Sequence, residues 1–233
     1  MGRQIKGLIY FFLTDIRYSL MIFWSILLII LVLSLGIANF LLGVENGVYF
    51  LSLDFPIYVY CAILGFLTVK EAIPFSIKMG ATRKNLYIAL GLFFFGLAFV
   101  KSVISSTLQS LTLAFTNAAG ISSFKFLYLS PLMENAWFSS VAIDTAIMFF
   151  LLSIMFILGL LFYQTGLAGG GITVGVLFLI LLHGIAQGWI IEFFINQFTE
   201  PQMTFFYQLL AVGVIFYGIS YGFIRKITII KTR

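Results

Sequence analysis

Charge is what this chain has least of. Only 9% of its 233 residues are Asp, Glu, Lys or Arg, where a soluble domain carries roughly 25%. So few charged side chains cannot cover a surface that faces water, which excludes an ordinary soluble globular protein. Cysteine is scarcer still. Cys61 stands alone, so a disulfide within the chain and a metal site built on cysteine are both excluded. There is one histidine, His183, and no H-E-x-x-H or paired-carboxylate motif, so neither zinc hydrolysis nor acid–base chemistry on carboxylates has a foothold. The serine motif "GISYG", 218–222, lies near the end of an apolar helix and lacks the strand–turn–helix setting of a nucleophile elbow. No G-x-x-x-x-G-K-[ST] phosphate loop is present; an ATP-driven protein of this kind takes its ATPase from another chain. All four prolines fall in loops or near the ends of apolar runs, and no internal repeat relates 1–116 to 117–233. Both absences argue against the broken, repeated helices of secondary transporters.

What is present is apolar. Hydrophobic residues make up 62% of the chain, with 28 Phe and 11 Tyr, and the mean hydropathy is +1.13. The solvent for such a chain is lipid. A span needs roughly 20 mainly apolar residues, and six runs qualify: about 19–42, 49–69, 86–115, 137–163, 172–194 and 203–224. The reading is an all-α membrane protein with six transmembrane helices over 19–233, preceded by a segment of different character over 1–18. The run from Leu20 to Leu42 is too long for a signal h-region and has no cleavage site after it. The Met-Gly start has Lys6 where a myristoylation motif needs Ser or Thr.

The basic residues set the orientation. With both termini cytoplasmic, the inner segments hold Arg3, Lys6, Arg17, Lys70, Lys78, Arg83, Lys84, Arg225, Lys226, Lys231 and Arg233, eleven of the thirteen. The outer loops hold Lys125 alone, and Lys101 falls within the third span. That asymmetry is the positive-inside pattern, and it accounts for the pI near 9.3 without a nucleic-acid partner. Glu45, Glu134, Glu192 and Glu200 fall at or beyond the outer ends. The outer loops, about 43–48, 116–136 and 195–202, and the inner ones, about 70–85 and 164–171, are too short to hold a domain of typical size.

In "IKGLIYFFLTDIRYSL" the apolar residues recur at spacings of three and four among Lys6, Asp15 and Arg17, as on one face of a helix. Residues 1–18 thus read as an amphipathic helix along the inner leaflet, bent into span one. The other reading is a longer first span starting near Ile5.

The inner loop 70–85 contains "PFSIKMGATRKNLYIA", 74–89. Pro74 is expected to turn the chain after span two, Gly80 to take the left-handed position that ends a helix, and Thr82 to cap the helix that becomes span three. The result is a short helix, a sharp corner and a long capped rod. Arg83 and Lys84 then stand in the first turn of that rod, the unfavourable end for cations. Anionic headgroups would hold them there, and so would a soluble partner gripping the loop.

The six-span topology, the interfacial N-terminal helix, the cytoplasmic termini and the wording "SIKMGATRKNLYIA" resemble the permease subunits of bacterial ABC-2 type exporters. The resemblance implies that Pro74, Phe75, Ser76, Ile77, Lys78, Met79, Gly80, Ala81, Thr82, Arg83 and Lys84 form a coupling element docked on a separate ABC ATPase. It implies two ATPase copies carrying ATP and Mg, no cofactor on this chain, a second permease copy or a sister permease, and a place in a bacterial cell membrane. The small, Phe-rich form is similar to exporters of hydrophobic or amphipathic peptides, such as those for phenol-soluble modulins. A translocation path between two permease halves is implied as well. On this reading the chain is a transport subunit and not itself an enzyme.

Polar residues inside the spans are the remaining candidates. By helix rise, Lys101, Asp54 and Asp144 fall in one layer of the outer half. Charge in lipid is costly and normally pairs or faces water, so Lys101 is expected to pair with Asp144 or Asp54 or to line an outward vestibule; snorkelling to the outer headgroups is the other reading. His183 and Gln187, four apart, share a helix face. That arrangement serves a proton relay or a plain hydrogen bond to a neighbouring helix. Glycine pairs spaced by four at Gly184/Gly188 and Gly218/Gly222 permit close helix contact. The segment 188–203, with Trp189, Glu192, Gln197 and Glu200, is either an ordinary span end turned by Pro201 or, as the resemblance implies, short re-entrant helices at an outer gate. Two further function classes are a six-span secondary transporter or channel without an ATPase, and a non-transporting immunity or sensing component.

Overall fold

The computed structural model describes residues 2–42, 47–127, 137–199 and 202–226, with side chains of 194, 197–199 and 226 left aside. In chain order these form α1 (Gly2–Leu41), β1 (Tyr49–Leu51), α2 (Asp54–Lys78), α3 (Arg83–Ala118), β2 (Phe124–Phe126), α4 (Trp137–Ala186), α5 (Trp189–Thr199) and α6 (Met203–Lys226). The architecture is all-α apart from one short strand pair. Five helices, α1, α2, α3, α4 and α6, are long and apolar enough to cross a membrane.

α1 is a single helix of 40 residues. The expected bend near residue 18 is absent, because no Gly or Pro interrupts 8–35 and nothing else breaks the ladder. At 1.5 Å per residue α1 is about 60 Å long, twice a hydrocarbon core of about 30 Å, so part of it lies outside the apolar layer.

The second span begins later than its apolar run. Residues 49–51 pair with 124–126 in parallel register, Tyr49 opposite Phe124 and Leu51 opposite Phe126. Phe124 and Phe126 are buried while Lys125 points out, so this small sheet has one packed face. α2 then runs through Pro74 without stopping. The missing proline N–H forfeits one bond to the carbonyl of Lys70, but Ala72, Ile73 and Ser76 are buried on both sides of it. The separate short arm expected at 75–79 is therefore the last turn of α2, and the loop shrinks to residues 79–82.

α4 has 50 residues and one break, Gly166, with φ 71° and ψ −174°. A Cβ placed on Gly170 would meet the Phe162 ring at 2.4 Å. In a straight helix positions eight apart are about 12 Å apart, so the chain bends sharply at Gly166. The expected loop at 164–171 is thus a one-residue break. The later half ends at Ala186, short of the expected residue 194, because Gly188 takes φ 82° and α5 starts as a separate 11-residue helix.

The core sits on the first half of α4, which packs most extensively against α2 and α6 and also on α3. Two glycines make the α2–α4 contact nearly backbone to backbone. A Cβ on Gly65 would stand 2.6 Å from the Leu152 carbonyl oxygen, and one on Gly159 2.9 Å from that of Phe66. Phe94, Phe156, Leu90 and Leu152 fill the centre. Gly171 to His183, by contrast, are exposed at every position but Thr173.

Candidate functional site

Two places gather polar groups: the corner between α2 and α3, and a layer buried where α2, α3 and α4 meet.

The corner is built as its residue types dictate. Gly80 has φ 81°, and its N–H reaches the Ile77 carbonyl at 3.0 Å while the Ala81 N–H reaches that of Ser76 at 3.0 Å. This double bond pattern closes α2. Thr82 caps α3 by accepting from the Asn85 N–H at 3.4 Å. The corner is also tied to two other helices. The Gln4 side-chain amide, on α1, donates to the Gly80 carbonyl at 3.0 Å, and its carbonyl accepts from the Asn85 amide. Phe11 stacks on Phe75 with centroids 4.5 Å apart. On the other side, Arg83 donates to the Arg225 carbonyl near the end of α6. One turn into α3, Tyr87 and Tyr217 stack at 4.6 Å and bond reciprocally, hydroxyl to backbone carbonyl, at 3.0 and 2.5 Å. Lys78, Met79, Gly80, Thr82, Arg83 and Lys84 remain exposed, Met79 at 67%. Pro74 and Ile77 are half-buried, Ala81 likewise, and Ser76 is buried.

The buried layer brings together Asp54, Lys101 and Asp144, each at most 1% exposed, but not as an ion pair. Asp54 accepts at one oxygen from Ser105 at 2.8 Å and from Gln109 at 2.7 Å. Asp144 accepts from the Tyr58 hydroxyl, and its second oxygen has no partner. The Lys101 ammonium bonds to neither carboxylate. It lies 3.5 Å from the Tyr60 ring centre and 4.7 Å from that of Phe23. Lys101 therefore neither pairs with Asp54 or Asp144 nor snorkels: its ammonium lies on aromatic faces from α1 and α2, and ring quadrupoles take the place of a carboxylate.

The other candidates are more dispersed. His183 lies exposed on the last turn of α4 and Gln187 exposed just past its end, linked by the bond from the Gln187 N–H to the His183 carbonyl. Neither faces the Asp54–Asp144 layer. Trp189 and Glu192 lie exposed on α5, whose Phe193 meets Phe205 of α6 at 5.7 Å. The Gln197 side chain, together with Glu45, Glu134, Glu200, Pro201, Lys231 and Arg233, lies outside the described residues. Of the glycine pairs, Gly184 alone is closely packed: a Cβ on it would meet Ile190 and Trp189 of α5 at 2.4 and 2.6 Å, whereas nothing lies within 4 Å of one at Gly188, Gly218 or Gly222. Among the described residues no group of three or more His, Cys, Asp or Glu is placed to hold a metal ion.

Comparison with protein-family models, with curated proteins and with solved structures finds no match. The geometry is what bears on function.

Sequence reasoning missed most of the partners. Tyr58 stands one turn from Asp54, and Ser105 and Gln109 stand one and two turns from Lys101, so both polar ladders are visible at spacing four. Gln4, Asn85 and the Arg225 carbonyl carry no such signal, because their meeting depends on how three helices lean together.

Proposed function

We propose that this chain is the membrane permease subunit of an ATP-driven exporter, gripped at residues 74–84 by a separate ATPase that binds ATP and Mg. The observation that carries the proposal is the corner: basic, exposed, sharply closed at Gly80, and hydrogen-bonded to α1 through Gln4 and to α6 through Arg83. A force applied there is delivered to α1, α2, α3 and α6 together. A loop that served only to rest on headgroups has no need of such ties.

On this reading the sharp bend at Gly166 divides α4 into two spans, 29 and 20 residues long by the bounds of α4, which makes six spans with both ends on the basic, cytoplasmic side. The half-transporter joins a second copy or a sister chain in a bacterial cell membrane. The cargo is a hydrophobic or amphipathic peptide. Co-expression with neighbouring ATPases and purification in mild detergent tests it: an ATPase recovered in stoichiometric amount supports the proposal, and purification of the permease alone under every condition counts against it.

One observation favours a second reading, an ion-coupled transporter without an ATPase. Buried carboxylates in spans often serve ion pathways, and Asp54 and Asp144 are hydrogen-bonded across three helices. Transport that survives the complete absence of ATPases selects this reading.

A further inference from the structure

α1 packs on α3 and meets α2 mainly through side chains, Phe11 on Phe75, Phe23 beside Tyr60, and the Tyr60 hydroxyl donating to Ser19 at 3.1 Å, with the two backbones apart. The gap leaves a cleft of about 160 Å³ whose walls include Phe12 and Asp15 of α1, Tyr60, Leu64 and Glu71 of α2, and Phe93 of α3. Its two ends differ. Asp15 and Glu71 stand at the end near the basic corner, and from Glu71 to Tyr60 the α2 wall runs about 16 Å along the helix over Leu67, Leu64, Ile63 and Thr68, whose hydroxyl donates to the Leu64 carbonyl at 2.7 Å. Five acidic residues are described: Asp15, Asp54, Glu71, Asp144 and Glu192. Only Asp15 and Glu71 belong to the corner's end of the bundle, where the cations crowd. They are 56 positions apart in sequence, yet both line this one cleft. Both are exposed, and among the described residues neither makes an ion pair or hydrogen bond. The cleft's α2 lip is apolar and open, with Ile63 53% and Leu67 39% exposed.

We propose that this cleft is a binding site for an aminophospholipid of the phosphatidylethanolamine type, its primary ammonium at Asp15 and Glu71 and the start of one acyl chain along Leu67 and Leu64. The carboxylates select a cation and repel a headgroup of net negative charge. A primary ammonium brings three N–H donors, as a lysine does, and charge-assisted bonds to carboxylate are the stronger kind. A quaternary choline brings none. The volume is below the 300–1,000 Å³ of a site that engulfs a whole ligand, which suits an occupant whose remaining bulk stays in the bilayer. The lip of Ile63 and Leu67 opens toward hydrocarbon, as entry from the leaflet requires. A snorkelling acid pair with no ligand role would give the cleft no preference among lipids. The proposal does not depend on the transport reading.

The test uses the full chain in nanodiscs of phosphatidylcholine, doped with phosphatidylethanolamine or with phosphatidylglycerol, read by thermal unfolding and by lipid retention in native mass spectrometry. Phosphatidylethanolamine is expected to be retained preferentially and to raise the unfolding midpoint, and Asp15→Asn with Glu71→Gln to reduce that retention about tenfold or more, the scale of one charged hydrogen bond. Equal retention of the two lipids, or a preference that survives the double variant, overturns the proposal. So does displacement of the lipid by a soluble lysine-bearing amphipathic peptide, which would make the cleft a peptide site. Should the double variant fail to fold, Leu67→Trp, which fills the lip and leaves both carboxylates, carries the test: retention that is unchanged by it overturns the proposal.

Discussion

Replacing Gly65 by Ala puts one methyl group into the close backbone contact between α2 and α4. That carbon would lie 2.6 Å from the Leu152 carbonyl oxygen, whereas ordinary contact is 3.4–4 Å. The obstacle is backbone, which has no rotamer to give way, so α2 and α4 must part by about 0.8 Å along that line. Overpacking of this kind costs about 1–3 kcal/mol. At about 2–4 °C per kcal/mol for a chain of this length, the midpoint falls by several degrees. Gly96→Ala is the control. It is the same chemical change, inside α3, but with nothing within 4 Å of the new carbon, so it removes the glycine penalty of a helix interior and stabilises by about 0.5–1 kcal/mol. The two variants should therefore shift thermal unfolding in mild detergent in opposite directions. Gly65→Ala as stable as the parent chain would refute the close packing of α2 on α4.

Four further outcomes follow from particular contacts. Tyr58→Phe and Asp144→Leu should each destabilise, and a double-mutant cycle should give a coupling of about 0.5–3 kcal/mol; additive effects would show that the buried bond contributes nothing. Gly80→Ala forces a Cβ into the left-handed region and should cost about 1–2 kcal/mol, read by chemical or thermal unfolding, with additional loss of any ATPase coupling. Thr82→Ala should cost about 1 kcal/mol of stability through the lost cap, and a silent Thr82→Ala would contradict the capping geometry. Lys101→Met keeps the stem and removes the ammonium. Expression at the parent level with loss of export is expected, and full export would remove any role for the charge.

The fold class was legible from composition alone, and Gly80 and Thr82 were legible because each serves a backbone need that few residue types meet. Helix ends elsewhere were not. Pro74 reads as a stop, but packing at Ile73 and Ser76 carries α2 past it; residues 164–171 read as a loop, but a single glycine makes the bend. The small sheet was invisible because "YFL" lies in an apolar run that reads as span and "FKF" in a segment that reads as outer loop. The Lys101 partner was misjudged because a sequence argument counts charges and overlooks aromatic faces; Phe23 and Tyr60 come to it only through the lean of α1 and α2. The close contacts at Gly65 and Gly159 escaped because each glycine meets another helix's backbone and not a second glycine four positions away.

The central proposal is that the corner at residues 74–84 is gripped by a separate ATPase. A photo-crosslinking amino acid at Met79, whose side chain is 67% exposed, measures it directly in intact membranes. The account predicts a covalent adduct with an ATPase chain, lost when Arg83 and Lys84 are both changed to Glu. Adducts with lipid alone, in cells that are actively exporting, would contradict it.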